Sequence, residues 1–492
     1  MKNYTHCNKL FLFLTLFTLH AQPITATSFV QGLPFEDTVE GFDPEQEFWP
    51  WDEIDTNDIH FPKKFLWATA TSAHQVEEDC TNNDWSDIEK AKDETGNPRG
   101  KAAGKACEHI KYFEKDVERI DALGMNAHRM SVEWSKLEPQ QGTYDEAAFK
   151  VYDTMFDTLR AHNKEIIVTL HHYTSPKWFM ALGGFEKAAN IKYFVEFCKH
   201  AYTRWSSKVK FWITINAPAG YALKSYLQGE FPPFQKNMKL AAQVIKNLCE
   251  AHIQVYKACK AIDKKPQIGI LHHVYHIKPY YSWYPVHQIT AYFGDMLNNQ
   301  ALLGFFKTGT LSFGPLSLML GTHTNTDAPH SNDFIGLSFY SHGHLSGFTG
   351  KTPTHYAQEI ATDKKSFVMY AEGMYHAIQR VAQLGKPIYI MENGIGDKKD
   401  AKRQLFLQRY LFAISQAIAD GYDVHGYVYW SLLDNYEWLE AYDSRFGLYA
   451  IDFATQERTL RPSAQYLADT IKRFASPTPQ LALDQKNDDK QM

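Results

Sequence analysis

From residue 61 onward, short runs rich in β-branched and aromatic residues alternate with longer amphipathic stretches. Eight runs read as strands, at 65–71, 127–134, 165–173, 210–216, 266–276, 333–342, 387–394 and 424–432. Helical patterns separate them, for example at 112–123, 147–162, 193–205, 239–262, 370–384 and 400–420. Such alternation, repeated eight times, predicts an α/β fold: a single (β/α)₈ TIM barrel with a parallel sheet closed on itself. A doubly wound open sheet fits less well, because no glycine-rich phosphate turn follows the first strand. The 492 residues suit one such barrel, spanning 61–475. Segment 277–332, with Trp283, Tyr284 and Phe293, is expected to decorate the barrel mouth.

The ends of the chain read differently. Lys2 and Lys9, an apolar run at 10–19, and the small residues Ala21 and Ala26 form a signal-peptide pattern over 1–26. The run is too short to span a bilayer, and no later stretch is long and apolar enough. The expectation is a secreted or periplasmic protein with no stable membrane insertion after cleavage. Residues 27–60 form an acidic, solvated lead-in, and the polar tail 476–492, with Pro477 and Pro479, is expected to be disordered. Net charge is −5 with no basic stripe, so nucleic acid is not an expected partner. Cys80, Cys107, Cys198, Cys249 and Cys259 follow the leader and match no zinc spacing. Cys80 and Cys107 flank one long loop, and both a disulfide and two buried thiols fit.

Reactive groups of such barrels lie at the carboxyl ends of the strands. Here those ends carry Gln75, Arg129, His171-His172-Tyr173, Asn216-Ala217-Pro218, Tyr340, Glu392-Asn393-Gly394 and Trp430, followed by Glu437-Trp438. Singly, each is unremarkable: a strand-end Glu is usually solvated and a lone His is usually a satisfied core group. Together they make a pocket of planar hydrogen-bonding groups with tryptophan platforms, which is what a sugar needs for its hydroxyls and its C–H face. The aromatic content of 14% fits this reading and equally fits a large core. A metal held by His171, His172 and Glu392 is disfavoured, since adjacent strand residues point to opposite faces. No metal or organic cofactor is implied.

At these residues the sequence resembles the family 1 glycoside hydrolases, the β-glucosidase family, over roughly 60–470. The motifs are Phe65-Leu66-Trp67 through Thr71-Ser72-Ala73-His74-Gln75-Val76-Glu77, Arg129-Met130-Ser131-Val132-Glu133-Trp134-Ser135, Asp333-Phe334-Ile335-Gly336, Met391-Glu392-Asn393-Gly394, and the block from Trp430-Ser431-Leu432-Leu433-Asp434-Asn435 to Arg445-Phe446-Gly447-Leu448. The resemblance implies a retaining β-glycosidase acting on a small glycoside or oligosaccharide. It implies Glu392 as nucleophile, supported by Arg129 and Tyr340. It further implies that Gln75, His172, Asn216, Glu437 and Trp438 grip the sugar hydroxyls and that Trp430 stacks on the ring. Family members acting on 6-phosphorylated sugars replace the Glu-Trp pair with a Ser and basic residues, so Glu437-Trp438 implies a neutral sugar.

One departure bears on the chemistry. The family's Asn-Glu-Pro reads Asn216-Ala217-Pro218 here, which removes the expected acid/base carboxyl. Ser338 also stands where Asn is usual, and Glu78 where Gly is usual. A retaining glycosidase uses two carboxyls, one to attack and one to protonate the leaving oxygen and then activate water. Losing the second forfeits ~10²–10⁴-fold in rate. Several readings follow: substitution by Glu230 in the next loop, action on activated glycosides or transfer to non-water nucleophiles, a carbohydrate-binding pseudo-glycosidase, or a variant disabled at this position.

Overall fold

The computed structural model describes residues 48–346, 359–364 and 367–474. The leader 1–26, most of the acidic lead-in and the tail 476–492 lie outside the described residues. Eight parallel strands close into a barrel: β1 (Leu66–Ala70), β2 (Ala127–Ser131), β3 (Glu165–His171), β4 (Phe211–Asn216), β5 (Gln267–Pro279), β6 (Phe334–Leu345), β7 (Ile388–Asn393) and β8 (Val424–Trp430). Each strand pairs with its sequence neighbour, and β1 closes on β8 from Leu66↔Gly426 to Ala70↔Trp430. Side chains of these strands are buried on both faces, inward in the barrel and outward beneath the helices, which is why they read as near-continuous apolar runs.

The outer layer comprises α1 (Phe113–Ala122), α2 (Glu146–Ala161), α3 (Ile191–Trp205), α4 (Pro218–Ala222), α5 (Met238–Ile262), α6 (Ala301–Thr308), α7 (Glu372–Ala382), α8 (Arg403–Ala419) and α9 (Pro462–Phe474). The Asp145 carboxylate caps α2 by accepting from the amides of Ala147 and Ala148. One face of α2 buries Phe149, Tyr152, Met155, Phe156 and Leu159 against the barrel. Truncating a side chain such as Phe156 to Ala would cost about 3–5 kcal/mol.

Three expectations are corrected or resolved. Segment 277–332 is more than mouth decoration. Its first residues prolong β5, whose pairing with β6 continues to Pro279↔Leu345. The helix Pro285–Asp295, the π-helical turn Met296–Gln300 and α6 then supply the helical layer between β5 and β6. The stretch just after β5 projects outward, with Trp283 74% exposed, and so does Leu318 farther along, at 93%. The described end of the lead-in is docked, not merely solvated: the Trp49 amide and the Trp51 indole donate to Glu372 Oε1 at 2.9 and 2.6 Å, and both rings pack on Phe412. Cys80, Cys107, Cys198, Cys249 and Cys259 are all free and buried, so Cys80 and Cys107 form no disulfide. No described helix is long and apolar enough to cross a membrane.

Candidate active site

The carboxyl ends of the strands gather the site. Glu392 sits near the end of β7 and is 7% exposed. Its Oε1 accepts from Arg129 Nη1 at 2.6 Å, and its Oε2 accepts from Ser338 Oγ at 3.3 Å and Tyr340 Oη at 3.4 Å. Arg129 is fully buried and uses its whole fork: Nε donates to Thr169 Oγ1, Nη1 also to the Met391 carbonyl, and Nη2 to Asn216 Oδ1 at 2.7 Å. One guanidinium therefore ties β2, β3, β4 and β7 together and neutralises the Glu392 carboxylate by a charge-assisted bond. Glycine follows this motif for a steric reason: a Cβ at Gly394 would fall 1.8 Å from the Trp430 carbonyl oxygen of β8.

His172 stands 4.0 Å from Glu392 Oε1 through its Nε2. Burial, then the positive charge of Arg129, pushes its pKa well below the ordinary imidazole value, so the ring is neutral. Because Asn216 Oδ1 is committed to Arg129, its Nδ2 faces His172 Nε2, at 3.3 Å. Nε2 thus accepts and the ring proton resides on Nδ1, which has no partner among the described residues. His171 turns the opposite way, toward Ser175 Oγ at 3.1 Å and the rings of Phe185, Phe194 and Tyr221. The two histidines do not converge on one metal. Among the described residues, two other sets bring metal-ligating atoms together, His74–Cys80–Glu133 and His342–His344–Glu359. Hydrogen bonds already engage both sets: Asn83 Nδ2 bridges His74 and Glu133, and His344 Nε2 bonds to Glu359 Oε1 at 3.4 Å.

The aromatic wall is continuous with this network. The His172 ring lies 5.7 Å from Trp430 and 6.2 Å from Trp438, centroid to centroid. Trp438 also stacks on His74 and contacts Trp85, Tyr173 and Phe231. Gln75 Nε2 donates to the Tyr436 carbonyl at 2.8 Å and to Asn435 Oδ1 at 3.1 Å, with Glu437 Oε2 at 3.4 Å. The Gln75 Oε1 acceptor is buried and has no partner among the described residues. Gln75, Arg129, His172, Asn216, Tyr340, Glu392, Trp430, Glu437 and Trp438 are thus linked by direct contacts or through shared neighbours.

At the end of β4, Ala217 is 2% exposed and opens α4. Its backbone is left-handed, with φ 44° and ψ 63°, a conformation that costs an L-residue roughly 1–2 kcal/mol. The amide donates to the Leu271 carbonyl at 2.9 Å and the carbonyl accepts from the Tyr221 amide. Tyr173 packs beside it, and burial, reinforced by the charge of Glu392, raises that phenol above its ordinary pKa. Glu230 is exposed, and its amide donates to the Lys224 carbonyl at 2.9 Å.

Sequence reasoning passed over two lysines. Lys364 Nζ binds Glu437 Oε1 at 2.7 Å and lies 3.8 Å from Glu440 Oε2. Burial works to lower the pKa of this amine, but the Glu437 and Glu440 charges outweigh it and hold the pKa above the ordinary value. Lys224, in the π-helical turn Leu223–Gln228 after α4, stands over the Phe231 ring. Together Lys224 and Lys364 help push His273, which burial already disfavours as a cation, down to about 3.

A closed parallel barrel that presents a clamped carboxylate among neutral hydrogen-bonding groups and tryptophans belongs to the glycoside-processing barrels. The sequence pattern of glycosyl hydrolase family 1 matches residues 57–475, and the chain belongs to that family. β-Glucosidase A from Thermotoga maritima is 27% identical over 440 residues, covering 84% of this chain and 98% of its own. A 6-phospho-β-galactosidase from Lacticaseibacillus rhamnosus is 28% identical over 478 residues, covering 85% and 99%. Among solved structures, a β-glycosidase from Pyrococcus horikoshii superimposes with a TM-score of 0.74 at 33% identity, over 86% of this chain and all of that one. These similarities establish a glycoside hydrolase fold and a function of the β-glycosidase type.

Proposed function

We propose that this protein is a retaining β-glycosidase in which Glu392 attacks the anomeric carbon of a neutral sugar and no carboxyl stands ready to protonate the departing group. The attack forms the bond from a Glu392 carboxylate oxygen to the anomeric carbon as the bond to the leaving group breaks. The leaving group takes the electron pair, and with a methyl at 217 it departs unprotonated. Groups stable as anions leave readily under those conditions, and alkyl alcohols or other sugars do not. A second nucleophile, water or an acceptor, then displaces Glu392 without help from residue 217. The substrates this favours are activated β-glycosides, and transfer competes with hydrolysis.

The observation that carries the reading is the pairing of Arg129 with Glu392 at 2.6 Å, in a chain whose β4 end offers Ala217. Arg129 and Tyr340 act as nucleophile support in this proposal. Gln75, His172, Asn216, Glu437 and Trp438 hold hydroxyls, and Trp430 faces the ring. A carbohydrate-binding pseudo-glycosidase is the alternative, favoured by the same blank at 217 beside an intact set of hydrogen-bonding groups. The two separate on exposure to a 2-fluoro β-glycoside with a good leaving group. A covalent adduct on the intact protein, absent in Glu392→Gln, is expected. Sugar binding with no adduct would replace the enzyme by the binding protein. The leader pattern extends the proposal to export, and the exported protein should begin just after Ala21 or Ala26 on N-terminal sequencing; a start at Met1 overturns that part.

A further inference from the structure

Lys224 lies seven residues beyond Ala217, about two helical turns along the segment that leaves β4. Between them, Gly220 has no side chain; a Cβ there would meet Ala217 Cβ at 3.7 Å and the Tyr173 hydroxyl at 3.8 Å. The Ala217 methyl and Gly220 thus put little bulk beside the Tyr173 hydroxyl. The Lys224 amine stands 4.7 Å from the centroid of Phe231, whose ring packs on Trp438 at 6.0 Å and Tyr173 at 5.8 Å. This amine thus lies on a ring that packs directly on Trp438 and Tyr173 of the aromatic wall.

Of Arg129, Lys364 and Lys224, Lys224 is the one with no carboxylate in direct contact among the described residues. Glu392 is matched by Arg129 and Glu437 by Lys364. Among the described residues, Lys224 Nζ contacts no hydrogen-bond acceptor and no carboxylate. Glu230, Glu437 and Glu440 act on it only through space, and Lys364 repels it. A half-buried ammonium without a counter-ion is costly, and an anion arriving beside it recovers that cost. The π-helical turn that carries Lys224 is itself a local distortion of the kind often found at ligand sites.

We propose that Lys224 recognises an anionic group on the aglycone, and that the aglycone is an apolar body, seated against Phe231 and Tyr173, bearing that group. The inference rests on the glycosidase reading and narrows its substrate class. It assigns Lys224 to the leaving-group side, away from the sugar.

Probes with a carbon–carbon link in place of the glycosidic bond test it without calling on catalysis. Phenyl and 4-carboxyphenyl β-C-glycosides, each made with glucose and with galactose, are titrated calorimetrically into the full chain. The carboxylated compound should bind about tenfold more tightly than its neutral partner, as expected for a hydrogen bond to a charged group. Lys224→Met, which keeps the aliphatic contact with Phe231, should bring that ratio to about one, and Lys224→Arg should preserve it. Equal affinities in the wild type, or a ratio that survives in Lys224→Met, would overturn the assignment of Lys224 while leaving the glycosidase reading intact. If none of the four C-glycosides binds, the glycosidase reading and this inference fall together.

Discussion

The ends of β7 and β4 make an instructive pair. At β7 a carboxylate is held by donors from Arg129, Ser338 and Tyr340, so its position is over-determined. At β4 a methyl group occupies a left-handed backbone position that it does nothing to stabilise, since Ala217 forms no side-chain bond. The two ends share one hydrogen-bonded unit, because Arg129 reaches both Glu392 and Asn216. The contrast teaches that one guanidinium can tie together two strand ends of which only one presents a carboxylate. Backbone strain of this sort clusters at functional sites, and at 217 it is carried by a residue with only a methyl side chain.

The contrast can be broken most forcefully by restoring the missing group. In Ala217→Glu, hydrolysis of unactivated disaccharides such as cellobiose should rise by ~10²–10⁴-fold, the usual worth of general acid–base catalysis. Steady-state rates on cellobiose measure it, and no gain would mean that the site has drifted beyond residue 217. Attacking the other end sharpens the comparison. Arg129→Met removes the strongest donor to Glu392, and adduct formation with the 2-fluoro probe should slow by about 10²-fold. The same change leaves a buried charge unpaired and should cost about 3–5 kcal/mol in chemical denaturation. The smallest effect concerns backbone alone. Ala217→Gly should stabilise the fold by about 1 kcal/mol by relieving the left-handed alanine, a rise of about 1–2 °C in melting temperature. An unchanged or lower midpoint would show that the strain is compensated elsewhere.

The eight strands and the polar groups at their ends were legible because a strand buried on both faces leaves an unbroken apolar run, and the residue after it stands out. The fifth helical layer was not. Its regular 3.6-residue pattern is interrupted by the π-helical turn Met296–Gln300, so 277–332 reads as an irregular insertion. Trp49 and Trp51 were hidden by the acidic residues around them, which stay in water while the two rings pack on Phe412. Lys224 and Lys364 were missed for a different reason. A single lysine in a polar stretch is nearly always solvated, and nothing local reveals that 364 will meet 437 across 73 residues. Ser338 was noted as a substitution, and only the fold shows that its hydroxyl supplies a donor to Glu392.

Two buried polar atoms without partners among the described residues, on Gln75 and His172, have opposite character. Gln75 Oε1 can only receive a hydrogen, and His172 Nδ1 can only give one. A guest satisfying both has to be amphiprotic, as alcohols are and as ethers or fluorocarbons are not. In a site of the proposed kind, deoxygenating or fluorinating a ring carbon that faces either atom would leave that atom without a partner.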